Sequence, residues 1–143
     1  LHVSIIADVY LLVNSLIASN SFSIETDFLV LVTQVLKGPA VKAMPKLVVS
    51  QSGGTVGERT DVLADDTLMW SGETYVFFLA KDGRPNLPVI AGAPRFEVKG
   101  VWAGKFKVEQ GRIKTPVQLP PGIRAHENAK VEDFVSSIRA RLR

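Results

Sequence analysis

Between Val9 and Ala80 the apolar residues come in short blocks, Val9-Tyr10-Leu11-Leu12-Val13, Phe28-Leu29-Val30-Leu31-Val32 and Tyr75-Val76-Phe77-Phe78-Leu79-Ala80, separated by turn-forming residues. Blocks of this length, rich in valine and aromatic residues, have the size of buried strands. They fall far short of the roughly 18 to 20 apolar residues a helix needs to cross a bilayer. The chain therefore reads as mainly β, with no membrane span.

A first strand is expected over about 9–18, after a lead-in or short helix at residues 1–7 that ends at Asp8. Ser and Asn near 18–21 compete for backbone hydrogen bonds and mark a connection. A second strand, 22–36, stops at Lys37-Gly38-Pro39, a third covers 46–51, and a fourth covers 73–81 and is closed by Asp82-Gly83. Prolines at 85, 88 and 94 make 84–95 a loop or an edge, since each removes a ladder donor. Strand pieces at 96–99 and 104–109 are interrupted by 100–103, a bulge or barrel corner. Glu109-Gln110-Gly111-Arg112 then turns the chain. A two-residue loop there sets Val108 opposite Ile113 and Lys107 opposite Lys114. Like charges opposite one another are unfavourable, so this pair should face solvent or meet an anion.

Only the end of the chain carries a helical period. Val131, Phe134, Val135, Ile138 and Leu142 form one apolar stripe, with Glu132 and Asp133 early and Arg139, Arg141 and Arg143 late, as the helix dipole favours. The helix is assigned to 128–143 and the proline-containing stretch 115–127 to a linker. With 143 residues the chain is read as one domain, able to bury a core without disulfide or metal staples. The absence of cysteine removes thiolate catalysis and cysteine-based zinc sites.

The glycine-rich stretch Ser50–Thr60, SQSGGTVGERT, most resembles chemistry, and it fails each test. A phosphate-binding P-loop needs Lys after its last glycine, and Glu58 stands there. The dinucleotide fingerprint would need glycine at Ser52. A trypsin-like serine would need Asp at Gln51, with a histidine well upstream. The glycines are read as the means by which a strand turns. His2 and His126 each stand alone, without zinc-ligand spacing. Glu58, Asp61, Asp65, Asp66 and Glu73 form an acidic stretch without the EF-hand alternation, so a solvated loop is preferred to a calcium site. Glu25 and Asp27 share one strand face, either as an acid/base pair or as a strand starting at the surface. No catalytic residue, metal or cofactor is assigned.

Charge supplies the binding candidate. Residues 1–80 hold four Lys/Arg against eight Asp/Glu, and residues 81–143 hold thirteen against six. The basic set is Arg95, Lys99, Lys105, Lys107, Arg112 and Lys114, with Phe96, Trp102 and Phe106 interleaved. On a strand Lys105 and Lys107 point one way and Phe106 and Val108 the other. The aromatics then belong to the core rather than to a base-stacking platform, which disfavours nucleic acid.

The order of pieces, ADVYLLVNSLIASNSFSIETDFLVLVTQVLKG, KLVVSQSGGTVGE, WSGETYVFFLA, WAGKFKVEQGRI and a terminal helix, resembles bacterial exported netrin-like domains, the tissue-inhibitor-of-metalloproteinase type. The resemblance implies a five-stranded OB-fold-like barrel with a C-terminal amphipathic helix. It also implies an extracellular, cell-surface or periplasmic setting after loss of a signal peptide. The inhibitors of that family chelate zinc through an N-terminal cysteine, which this chain lacks, so that activity does not transfer. The expected function is a non-catalytic interaction domain that binds a protein or polyanion through the basic surface. The alternative is a structural subunit that self-assembles into a filament or surface layer, acidic half against basic half.

Overall fold

The computed structural model describes residues 2–17, 23–37, 46–61, 68–84, 87, 89–99, 104–114 and 127–141. The strands are β1 (His2–Ile17), β2 (Ser23–Lys37), β3 (Lys46–Ser52), β4 (Gly54–Val56), β5 (Arg59–Asp61), β6 (Thr74–Lys81), β7 (Arg95–Val98), β8 (Lys105–Glu109) and β9 (Arg112–Lys114). One helix, α1 (Val131–Arg141), follows. The linker at 115–126, the interruption at 100–103 and Leu142 lie outside the described residues.

The main sheet runs β1-β2-β3-β7-β6 and closes because β6 also pairs with β1, from His2↔Ala80 to Asp8↔Thr74. Every pair in this ring is antiparallel except β3–β7, where Val48, Val49 and Ser50 run parallel to Arg95, Phe96 and Glu97. The result is an OB-fold-like barrel of five strands with one C-terminal helix. Closure pairs the edge of β1 with β6 only over residues 2–8, where an open sheet would expose it.

Alternation decides the core. Val3, Ile5, Ala7 and Val9 of β1 point inward to meet Phe28, Val30, Leu47, Val49, Phe77, Leu79 and Phe96. The opposite parity, Ile6 on β1 with Val76 and Phe78 on β6, faces a second cluster with Phe106, Ile113, Phe134, Val135 and Ile138. β1 and β6 are thus covered on both faces, which is why their sequences read as unbroken apolar runs. The rings of Phe106 and Phe134 stand 5.2 Å apart, so the helix docks on the outside of the barrel. Its entry is fixed by backbone bonds between β9 and the segment before it, Asn128 N to Ile113 O and Ile113 N to Ala129 O, both 2.8 Å.

The expected lead-in at residues 1–7 is corrected: His2–Ala7 is strand, paired on one edge with β6 and, from Ser4, on the other with β2. Asp8 does not end it, because its carboxylate accepts a 2.6 Å hydrogen bond from the Thr74 hydroxyl across the ladder. The β8–β9 hairpin has the expected register, Val108↔Ile113 and Lys107↔Lys114. Both loop residues are left-handed, Gln110 at φ 52° and Gly111 at φ 73°, as a two-residue turn with the twist of the strands requires. In the glycine stretch, Gly53 (φ 105°) and Gly54 (φ 128°) redirect the chain out of β3 into the small β4–β5 hairpin.

Candidate interaction surface

The six basic residues do not form one patch. Arg95 points to the β2–β3 side of the barrel, where its two terminal nitrogens bind Asp27 at 2.6 and 3.1 Å and one also binds the Ser50 hydroxyl at 2.6 Å. Lys105 is buried, its ammonium 6.0 Å from the Tyr75 ring centroid. These two therefore cannot line an exposed basic surface, a correction to the sequence-based set. Burial follows from what packs over each residue, which local alternation does not report.

The β8–β9 hairpin brings Lys107, Arg112 and Lys114 together, yet each is engaged within the chain. Lys107 bridges Glu73 at 2.6 Å and Glu109 at 2.9 Å. Arg112 donates to the Asn128 carbonyl at 2.8 Å, and the Lys114 ammonium meets the Asn128 side-chain oxygen at 2.5 Å. Of this pair, Lys107 meets the carboxylates of Glu73 and Glu109, and Lys114 meets the neutral Asn128 side chain. Burial works to raise the Glu73 carboxyl, but the Lys107 ammonium, the Trp70 amide and the Tyr75 hydroxyl hold it below its ordinary value. Hydrogen bonds to Glu73 and then Glu109 raise Lys107. Lys99 is exposed and follows β7.

Glu25 and Asp27 do share the outer face of β2, and each is matched by an arginine. Arg84 reaches Glu25 at 2.5 Å and Asp82 at 2.7 Å. Burial pushes the Asp82 carboxyl up, and its bonds from Arg84 outweigh that and lower it. Hydrogen bonding to Asp82 and then Glu25 raises Arg84. A polar cleft of about 200 Å3 lies beside this network, lined by Glu25, Ser50, Ser52, Arg84 and Glu97. Carboxylates already neutralised by arginine are poorly placed to act as an acid/base pair. Among the described residues no three His, Cys, Asp or Glu side chains converge on a metal position. Asp61 is paired with Arg59 at 3.0 Å, while Asp65, Asp66, Trp102 and His126 lie outside the described residues.

What the residue-by-residue reading missed is the far half of β1. Pairing to β6 ends at Asp8↔Thr74, and the backbone bonds Val9 N to Glu73 O and Gly72 N to Val9 O, both 2.8 Å, extend it only a little. From Leu11 to Ile17, β1 pairs with β2 on one side, and among the described residues no strand lies along its other edge. β4 packs near both β1 and β2 but belongs to its own two-stranded sheet. At the start of this edge Ser71 donates to the Tyr10 carbonyl at 2.8 Å, and Tyr10 and Trp70 are exposed. Trp70 is held outward by its amide's 2.6 Å bond to the Glu73 carboxylate. An apolar hollow of about 230 Å3 opens beside it, lined by Phe28, Gly54, Thr55, Leu68 and Trp70 among others. The available signal was the absence of any charged residue or histidine from Val9 to Ile24.

No protein-family model matches the chain, and neither a curated protein nor a solved structure does. Among the described residues no helix is long and apolar enough to cross a membrane.

Proposed function

We propose that the protein is a non-catalytic interaction domain whose partner is another copy of itself, the barrel acting as a rigid scaffold for assembly. The observation that carries this reading is the edge of β1 from Leu11 to Ile17, which is uncharged and has no strand partner among the described residues. A strand edge of this kind is a template for another strand, and neither proline nor a charged residue blunts it. The non-catalytic part is supported by the arginines that occupy Glu25, Asp27 and Asp82. The exported setting rests on the netrin-like resemblance alone. A polyanion partner has less support, because Lys105 is buried, Arg95 is paired with Asp27 and Lys107 is committed to two carboxylates.

The test is light scattering behind size exclusion across a hundredfold concentration range, at low and at high salt. Strand pairing predicts a mass above the 15.6 kDa chain that rises with concentration and survives high salt. Salt-sensitive association would instead favour contact between the acidic and basic halves. A monomer under every condition would refute self-association, and heparin retention would then decide the polyanion reading.

A further inference from the structure

We propose that the polar cleft on the outer face of β2, β3 and β7 binds a primary ammonium group carried on an unbranched alkyl chain, whether or not the protein self-associates. Strand register builds the cleft: Glu25 lies beside Ser52, and Ser50 lies between Asp27 and Glu97. Glu25 and Glu97 are thus two strands and two residues apart, roughly 12 Å between backbones at about 4.8 Å per strand and about 3.4 Å per residue. Both line the same cleft of about 200 Å3, with Ser52 and Arg84. That space suits an ammonium group and a short stem.

What the cleft offers is acceptors. Arg84 takes only one of the two Glu25 carboxylate oxygens, Oε2, and the Glu25 side chain is 10% exposed. Its Oε1, the exposed Glu97 carboxylate and the Ser52 hydroxyl have no hydrogen-bond partner among the described residues. A carboxylate oxygen so far from bulk water is unfavourable without a donor. Charge points the same way, since Glu25, Asp27, Asp82 and Glu97 outnumber Arg84 and Arg95 around the cleft. An ammonium brings three donors, no acceptor and a positive charge. A metal ion fits less well, because among the described residues no three His, Cys, Asp or Glu side chains converge. An anion would find Arg84 already bonded to Asp82 and Glu25.

The surroundings of these acceptors are held by the protein's own bonds. The Ser50 hydroxyl donates to Asp27 at 2.5 Å and accepts from Arg95 at 2.6 Å. Arg84 is clamped by both oxygens of Asp82. A ligand therefore meets a cleft whose floor and side are already ordered, which lowers the cost of binding.

The test follows backbone amide NMR signals during titration with butylammonium chloride at constant ionic strength. Saturable shifts confined to the amides around Ser52, Arg84 and Glu97 are expected. Tetramethylammonium has the same charge but no N–H donor and should leave them unmoved; an equal response would reduce the effect to general cation attraction and overturn the proposal. A titration that never saturates would overturn it as well, and so would calcium chloride binding at these amides in place of the amine. Glu97→Gln changes an exposed side chain and should keep Tm while weakening butylammonium binding about fivefold, the effect of losing a partly exposed ion pair. Unchanged affinity in that variant, or in Ser52→Ala as well, would overturn the assignment. Nα-acetyl-lysinamide binding as tightly as butylammonium would support the proposal with a peptide lysine as the source of the ammonium, and weaker binding would support it with a small free amine.

Discussion

Arg95→Met separates two accounts of the same residue. As a surface cation Arg95 would contribute about 0–1 kcal/mol to folding through any ion pair it made. The structure instead holds it against Asp27, with side chains only 12% and 3% exposed, and with Ser50 bonded to both. Removing the guanidinium leaves the Asp27 carboxylate buried with the Ser50 hydroxyl in place of a countercharge. Breaking one side of a buried pair costs about 3–5 kcal/mol. For a domain of this size each kcal/mol lowers Tm by about 3–4 °C, so a fall of roughly 10–20 °C is expected. Replacing both partners by apolar residues, Asp27→Leu with Arg95→Met, should recover most of that loss, because no charge is then left buried. Thermal unfolding at pH 7, with urea unfolding to confirm an unchanged m-value, reads both variants. A fall under about 3 °C for Arg95→Met would restore the surface reading, and a double variant no better than the single one would refute the pairing argument.

Phe134→Ala removes the ring that stacks 5.2 Å from Phe106 in the outer cluster, and should cost about 3–5 kcal/mol in urea unfolding. Gly111→Ala meets no neighbouring atom, so only the left-handed φ of 73° opposes it, and the loss should be about 1–2 kcal/mol. Glu73 is lowered in the folded state, so its contribution is present above the ordinary glutamate value of about 4.3 and is lost as pH falls through the lower folded value. Lys107→Met should flatten that acid limb of stability while costing only about 0.2–1 kcal/mol at pH 7, the partly exposed pair being screened; an unchanged acid limb would show that Lys107 is not the cause. Asn14→Lys should leave Tm within a few degrees and weaken self-association, since a lysine on a strand edge deters the addition of another strand; undiminished association at low salt would count against pairing through this part of β1.

The parts of the fold visible in the sequence are those fixed by neighbours in the chain. β2, β3, β6 and the β8–β9 register follow from apolar runs, turn residues and pairing parity, and α1 from its stripe. The strand character of His2–Ala7 was hidden because Asp8 looks like a stop, and only Thr74, far along the chain, satisfies it within the ladder. The β4–β5 hairpin was hidden in a stretch whose glycines conveyed a turn but not the short pair beyond it. The basic set failed for a related reason. Alternation places Lys105 and Lys107 on one side of β8, but the first lies over Tyr75 and the second meets Glu73, both contributed by the chain around β6.

The same topology leaves one margin of β1 without a strand partner among the described residues. Closure uses β1 only as far as Asp8, where its pairing with β6 runs out. β2 continues alongside to Ile17, and β3 follows β2 as far as Glu25↔Ser52. The sheet is therefore three strands wide on the β2 side of this arm, and among the described residues no strand lies on the other side of β1. Before β6 begins, Ser71, Gly72 and Glu73 stay alongside this margin, bonded to Tyr10 and Val9. Native sheets commonly blunt such a margin with lysine, proline or a short strand. This chain instead runs without a charged residue from Val9 to Ile24, between Asp8 and Glu25. Residues 2–8 of β1 thus join the barrel, and under the proposed self-association residues 11–17 are the part left to meet a partner.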